Sequence, residues 1–196
     1  LLQQAVAAAS DASFNCVTVD GDPSTNDTVL LLASGVSGAT LDAASLPAFL
    51  AALTDLCQDL ARQIASDGEG ATKLIEVTVA GAATVADARI IARAIARSPL
   101  VKTAVHGGDP NWGRILAAAG VAGVPFAPAA ASLRLGPVTV VTAGMRAEYA
   151  EEEAAAAMAG PVVAITLELA EGAATGQAWS CDLSAEYVSI NADYRT

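Results

Sequence analysis

Apolar residues recur at three- and four-residue steps through Leu46, Phe49, Leu50, Leu53, Leu56, Cys57, Leu60 and Ile64. That spacing predicts an amphipathic helix with those residues on its buried face. Ser45 and Pro47 suit its first turn. Asp55, Gln58, Asp59, Arg62 and Gln63 form its polar side, and SDGEG (66–70) ends it. Ahead of it, an alanine-rich opening predicts a helix to about Ser10. FNCVTV (14–19) and TVLLLA (28–33) predict two strands flanking an acidic loop. The second is a continuous apolar run, the pattern of a strand covered on both faces.

After the long helix, Ile75, Val77 and Val79 alternate with Glu76 and Thr78, which predicts a strand over KLIEVTVAG (73–81). TVADARIIARAIARSP (84–99) predicts a second amphipathic helix ended by Ser98-Pro99. LVKTAV (100–105) predicts a strand. Asn111 suits the cap of a helix running to Ala119, with Gly120 as a left-handed stop. In the last third, SLRLG (132–136) and PVTVV (137–141) predict short strands around the Gly136-Pro137 break. EEEAAAAM (151–158) predicts a helix with acids at its positive end, and PVVAITLELA (161–170) and QAWSCDLS (177–184) predict strands. The order predicts an α/β protein (α+β sandwich). Its internal boundary falls at GEG, between a front part of sheet plus helix, residues 1–72, and a fuller α/β back part, residues 73–196.

Composition narrows the class. The 196 residues are 54% hydrophobic but only 4% aromatic, and much of the apolar share is alanine, so Leu, Val and Ile must carry the core. A formal net charge of −11 without a basic cluster argues against a nucleic-acid partner held by phosphate contacts. No apolar run is long enough to span a bilayer, and the opening residues lack a signal-peptide layout. Cys16, Cys57 and Cys181 are odd in number and lack metal-type spacing. They read as reduced, buried thiols in a cytoplasm-like setting.

Three segments are chemical candidates. VDGDPSTNDT (19–28) crowds Asp20, Asp22, Asn26 and Asp27 together with Ser24 and Thr25. Against a calcium loop, which needs oxygen ligands at positions 1, 3 and 5, Gly at 6 and Glu at 12, Asp20, Asp22 and Ser24 fit but Thr25 and Leu31 do not. The expectation is a turn stabilised by local side-chain bonds to the backbone, with no metal. DGEGATK (67–73) fails the phosphate-loop spacing. It is either a flexible helix stop or a place where Glu69, between Gly68 and Gly70, is held for a ligand approaching the backbone. His106 is the sole histidine. It lacks a neighbouring nucleophile motif and reads as structural, while Asp109 and Arg114 flanking Trp112 suggest a polar network around a buried indole.

Four ordered segments together resemble the ornithine acetyltransferase (glutamate N-acetyltransferase, ArgJ) family: SFNCVTVDGDPSTNDTVLLLASG, GEGATKLIEV, SPLVKTAVHGGDPNWGRILAAAG and INADYRT. The resemblance runs from about residue 13 to the last residue, and DPNWGRI and NADYRT are its most specific parts. It implies a layered fold like that of DmpA, ArgJ and the N-terminal-nucleophile enzymes. It also implies a precursor that cuts itself into an alpha and a beta chain, the beta chain starting with a nucleophilic threonine. The implied reaction moves acetyl from N-acetylornithine to that threonine and then to glutamate, in arginine biosynthesis in the cytoplasm. The N-terminal amine serves as base, since its ordinary pKa of about 7.7–8.0 leaves a neutral fraction at neutral pH. The alpha chain supplies the oxyanion hole. Some members also accept acetyl-CoA, and no resident cofactor or metal is implied.

This sequence departs from the family pattern by starting at Leu1. The resemblance therefore implies a beta chain whose nucleophilic threonine lies upstream, with no catalytic residue in this chain, which alone is expected to be inactive; no internal threonine, Thr28 included, has a free amine. The implied substrate contacts are Glu69, Asn191 and Thr196. The implied partner is the alpha chain, in an α2β2 heterotetramer without nucleic acid or membrane. An N-terminal-nucleophile amidohydrolase or aminopeptidase, and a non-catalytic partner subunit, stay open as alternatives.

Overall fold

Alternation along β1 (Leu74–Ala82) decides the architecture. Ile75, Val77 and Val79 are buried on one face of the strand, and Glu76 and Thr78 are half-buried on the other. A computed structural model describes residues 1–193 and contains a mixed six-stranded sheet. Its order is β4 (Met145–Arg146), β3 (Val138–Thr142), β2 (Ser132–Leu135), β5 (Val162–Glu168), β1 and β6 (Ala174–Cys181). β1 pairs in parallel with β5, Ile75 opposite Val163 and Val77 opposite Ile165. It pairs antiparallel with β6, Leu74 opposite Cys181 and Glu76 opposite Trp179. The short strands β2 and β3 form an antiparallel hairpin about Gly136-Pro137, as their turn residues predict.

The main core lies on the Ile75 face of the sheet. There Val163, Ile165, Leu167, Leu133 and Leu135 meet Ile91 and Ile95 of α3 (Val85–Ala96), Ile115 of α5 (Trp112–Gly120) and Met158 of α6 (Glu151–Ala159). Local chemistry starts these helices. Thr84 accepts from the Asp87 amide, and Asn111 Oδ1 accepts from the Arg114 amide at 3.2 Å. Glu151, Glu152 and Glu153 occupy the first turn of α6, where the helix dipole favours acids.

Several expectations are corrected. LVKTAV is not a strand but part of α4 (Pro99–Gly107). Ser98 caps it and Pro99 opens it, and those start signals outweigh the β-branched content. The left-handed residue is Gly108 after α4, at φ 69°, and not Gly120, which stays inside α5. FNCVTV forms a short 3-10 turn over Phe14–Cys16 and then a single bridge from Val17 to Trp179. TVLLLA forms no strand: Leu30 is 75% and Leu32 is 88% exposed, and only Leu31 is half-buried. The front part therefore contributes helices but no named strand to the sheet.

α2 (Leu46–Ser66) forms as the spacing predicts, with Pro47 in its first turn. Ser45 does not cap it, however. Asp42 does the local bonding, accepting from the amides of Ala44 and Ser45 and from the Ser45 hydroxyl. The buried stripe of α2 is Cys57, Ala61 and Ala65, while Leu56, Leu60 and Ile64 face outward. Small residues win the inner face because α2 packs closely on α1 (Leu2–Asp11), whose buried residues are Ala5 and Ala9, and on Trp179 of β6. Arg62 crosses from this helix to the sheet. Its Nε donates to Glu76 at 2.8 Å, and its guanidinium lies 5.2 Å from the Trp179 ring centre.

The buried indole is thus Trp179. Trp112 is only half-buried, Asp109 accepts from Asn111, and Arg114 donates to the Leu100 carbonyl. The three cysteines are free and buried.

Candidate substrate site

The GEG turn is where the sequence places Glu69, and the structure explains both glycines. Gly70 has φ +64°, a region that L side chains rarely adopt. A Cβ there would lie 2.6 Å from the Tyr187 amide nitrogen, and one at Gly68 would lie 2.7 Å from Cys181 Sγ. The close approach to this backbone is therefore made by the protein itself, by the end of β6 and the start of α7 (Ala185–Asp193).

Glu69 and Asn191, 122 positions apart, come together: Asn191 Nδ2 donates to Glu69 Oε2 at 2.6 Å and to the Tyr187 carbonyl at 3.0 Å. Both side chains are exposed to solvent, so the pair is accessible. Thr196, the third residue expected here, lies outside the described residues. Ser184 ties the turn to α7, its hydroxyl donating to the Gly70 carbonyl at 2.7 Å while accepting from the Tyr187 amide. The Tyr187 hydroxyl is 3.4 Å from Asp20 Oδ2. Burial raises the Tyr187 pKa, and the negative charges of Asp20, Glu69 and Asp22 add to the rise. The acidic loop thus adjoins the Glu69 turn, although it does not link two strands as its sequence predicts. Its internal bonds are local ones, Asp20 accepting from the Asp22 amide and Ser24 from the Asn26 amide.

Behind the turn lies a buried polar network that the sequence does not announce. The Asp182 carboxylate accepts from the amides of Thr72 and Lys73, at 2.7 and 2.9 Å, and from the Thr72 hydroxyl at 2.5 Å. It also lies 2.7 Å from Nδ1 of His106. Burial pushes the Asp182 carboxyl up, but the hydrogen bonds from Thr72, His106 and Lys73 together outweigh it and hold the pKa below the ordinary carboxylate value. Lys73 donates to the carbonyls of Val105 and Met158, both at 2.8 Å, satisfying the last turns of α4 and α6. Lys102 is buried, its ammonium donating to the Val19 carbonyl and to Ser180. Burial lowers its pKa, opposed by Cys181, Asp20 and Asp182.

A cavity of about 900 Å³ opens between the acidic loop and α2, lined by residues that include Val19, Asp20, Ser24, Leu30 and Ile64. Glu69 and Asn191 do not line it, so the site is better located by their pairing than by this hollow. Among the described residues no group of three or more His, Cys, Asp or Glu could hold a metal ion, and no helix is long and apolar enough to cross a membrane.

Only one clue to the network is visible in the sequence, a lone carboxylate directly after an apolar strand at Asp182. Chemically, the arrangement offers an exposed carboxylate held by an amide, a rigid turn behind it and hydrogen-bonding groups from a C-terminal helix. That combination suits a ligand carrying an ammonium group next to polar carbonyl or carboxylate groups.

Comparison with known proteins agrees with this order of segments. A family model described as the ArgJ family matches residues 1–196. The chain is 52% identical to the arginine biosynthesis bifunctional protein ArgJ of Dehalococcoides mccartyi, across 100% of this chain and 49% of that protein. It is 47% identical to the protein of the same name from Geobacillus stearothermophilus, across 100% of this chain and 48% of the relative. It therefore spans about half the length of the curated relatives it matches. A crystal structure of arginine biosynthesis bifunctional protein ArgJ from Bacillus halodurans superposes with a TM-score of 0.95 at 45% identity, covering 98% of this chain and 92% of that one. The chain belongs to the ArgJ family.

Proposed function

We propose that this chain is the beta-chain part of an acetyltransferase that moves acetyl from N-acetylornithine to glutamate in arginine biosynthesis, in the cytoplasm. The observation that carries the reading is the Glu69–Asn191 pair, an accessible carboxylate held at 2.6 Å by an amide from the far end of the chain. Family membership supports the reaction class.

In this reading a threonine supplied from outside this sequence is the nucleophile, and its own amine takes the hydroxyl proton. The hydroxyl oxygen adds to the acetyl carbonyl of N-acetylornithine. The carbon–nitrogen bond then breaks, the amine returns the proton to the leaving nitrogen, and ornithine departs. The glutamate amine attacks the resulting ester, giving N-acetylglutamate and restoring the hydroxyl. Glu69 receives a substrate ammonium as a charge-assisted hydrogen bond, and Asn191 and Thr196 meet carboxylate or amide groups. Acetyl-CoA is an alternative donor.

The partner is an alpha chain from the same precursor, in an α2β2 assembly. Two observations support it. The curated relatives are about twice as long as this chain, whereas the crystallised relative's chain is 92% covered by it. The front part, residues 1–72, also leaves Leu30, Leu32, Leu56 and Ile64 exposed, which suits a catalytic domain shared with that second chain.

The test is an acetyl-transfer assay on both chains assembled with an intact threonine start. N-acetylglutamate formed from N-acetylornithine and glutamate is the expected product. Acetate alone would indicate a hydrolase, and no turnover would indicate a non-catalytic partner. Within a working assembly Glu69→Gln is expected to raise KM about tenfold, as for the loss of about 1.4 kcal/mol of binding, and unchanged KM for both substrates would remove Glu69 as a contact.

A further inference from the structure

Glu69 and Asn191 reach each other from two arms, and both arms leave from one buried point. The turn bearing Glu69 runs into Thr72 and Lys73 at the entry to β1, and α7 bearing Asn191 follows the exit of β6 at Asp182. Asp182 joins the arms. Its amide donates to the Lys73 carbonyl at 3.1 Å, while its carboxylate, fully buried, receives the amides of Thr72 and Lys73 and the Thr72 hydroxyl. Asp182 is held ionised and has no proton to give, so the 2.7 Å contact requires a proton on His106 Nδ1. Nδ1 is thereby fixed as a donor, and the His106 side chain is still 42% exposed.

We propose that Asp182, oriented by His106, is a positioning residue that sets the Glu69 carboxylate and Asn191 for substrate. The proposal rests on the reading of Glu69 as a substrate contact. Ser184 supplies the second tie, from two residues beyond Asp182 to the Gly70 carbonyl. With both ties in place the turn and α7 cannot slide past one another, and the 2.6 Å bond between Asn191 and Glu69 is kept. A carboxylate with four donors that served the core alone would influence stability without moving Glu69.

The test uses Asp182→Asn in the assembled two-chain protein. The amide oxygen keeps an acceptor for the Thr72 and Lys73 amides, but the charge is lost and the NH2 that replaces Oδ2 no longer accepts from the Thr72 hydroxyl or from His106. Expected are a KM about tenfold higher for N-acetylornithine and glutamate with kcat within about twofold, and a shift of the Asn191 side-chain amide resonances in NMR. Glu69→Gln combined with Asp182→Asn is expected to be no worse than Glu69→Gln alone, because one residue acts through the other. Where Glu69→Gln raises KM, unchanged KM in Asp182→Asn or multiplying effects in the double variant would each overturn the proposal, and unmoved Asn191 resonances would overturn it in any case. If Asp182→Asn does not fold, His106→Ala, on the exposed side, carries the same three readouts with a smaller KM effect expected. The two failures are distinguishable. If Glu69→Gln leaves KM unchanged while Asp182→Asn still moves the Asn191 resonances, the substrate reading fails and the positional link stands.

Discussion

The front and back parts use apolar residues in opposite ways. In the back part, Ile75, Ile91, Ile95, Leu133, Leu135, Ile165, Leu167 and Trp179 are all nearly or wholly buried. In the front part the buried apolar residues are small, Ala5, Ala9, Cys16, Cys57, Ala61 and Ala65, while Leu30, Leu32, Leu56, Leu60 and Ile64 are exposed. Both parts carry clear hydrophobic patterns in sequence. A periodic pattern therefore reports that a face needs burial, not that the same chain supplies the cover.

The comparison predicts the widest contrast in amide hydrogen exchange of this chain alone. Residues 28–36 are expected to exchange almost without protection, and residues 75–79 and 163–167 only by global opening, which for a typical domain costs about 5–15 kcal/mol. Comparable protection in both segments, measured by mass spectrometry, would break the contrast.

Mutation of large apolar residues sharpens it. Ile165→Ala is expected to destabilise by about 2–5 kcal/mol in denaturant titration. Leu60→Ala in the isolated chain is expected to stay within about 0.5 kcal/mol, like other exposed substitutions. In the assembled two-chain protein the Leu60→Ala cost is expected to rise, if an alpha chain covers that face. No rise would remove the proposed cover.

A smaller effect is expected at the buried network between the two parts. Asp182 has a folded pKa below its unfolded one, so its contribution is fully present above about pH 3.9 and is lost as pH falls through the folded value. Asp182→Asn is therefore expected to flatten the acid limb of the stability profile, and an unchanged limb would contradict the network. The smallest expected effect has the opposite side of the pH scale. Burial lowers the Lys102 pKa below 10.5, so the unfolded chain binds more protons in that window and stability rises with pH there. In Lys102→Met that alkaline rise is expected to be missing from the difference between the two profiles.

The comparison also explains which elements were legible. β1 and β5 follow from their alternation, α2 and α3 from their helical spacing with a Thr84 cap at α3, and α6 from the acids of its first turn. LVKTAV has the β-branched content of a strand yet is helical, because that content is a weak preference and Ser98-Pro99 a stronger one, with Lys102 buried against Val19 and Ser180 in a way no local pattern encodes. TVLLLA has the apolar run of a strand but forms none, because a strand needs a pairing partner and the described residues provide none.

By itself the sequence determined the α/β class, most helices and strands of the back part, and the family, since these depend on local spacing and on ordered segments. It also marked Glu69 and Asn191 through the family resemblance. Only the tertiary structure decided that the two meet at 2.6 Å, that Gly68 and Gly70 make room for Cys181 and Tyr187, and that Asp182 gathers Thr72, Lys73 and His106. Those contacts join residues 76 to 122 positions apart. Their geometry is set by how β6 and α7 pack beside the turn, which no local pattern of polar and apolar positions records.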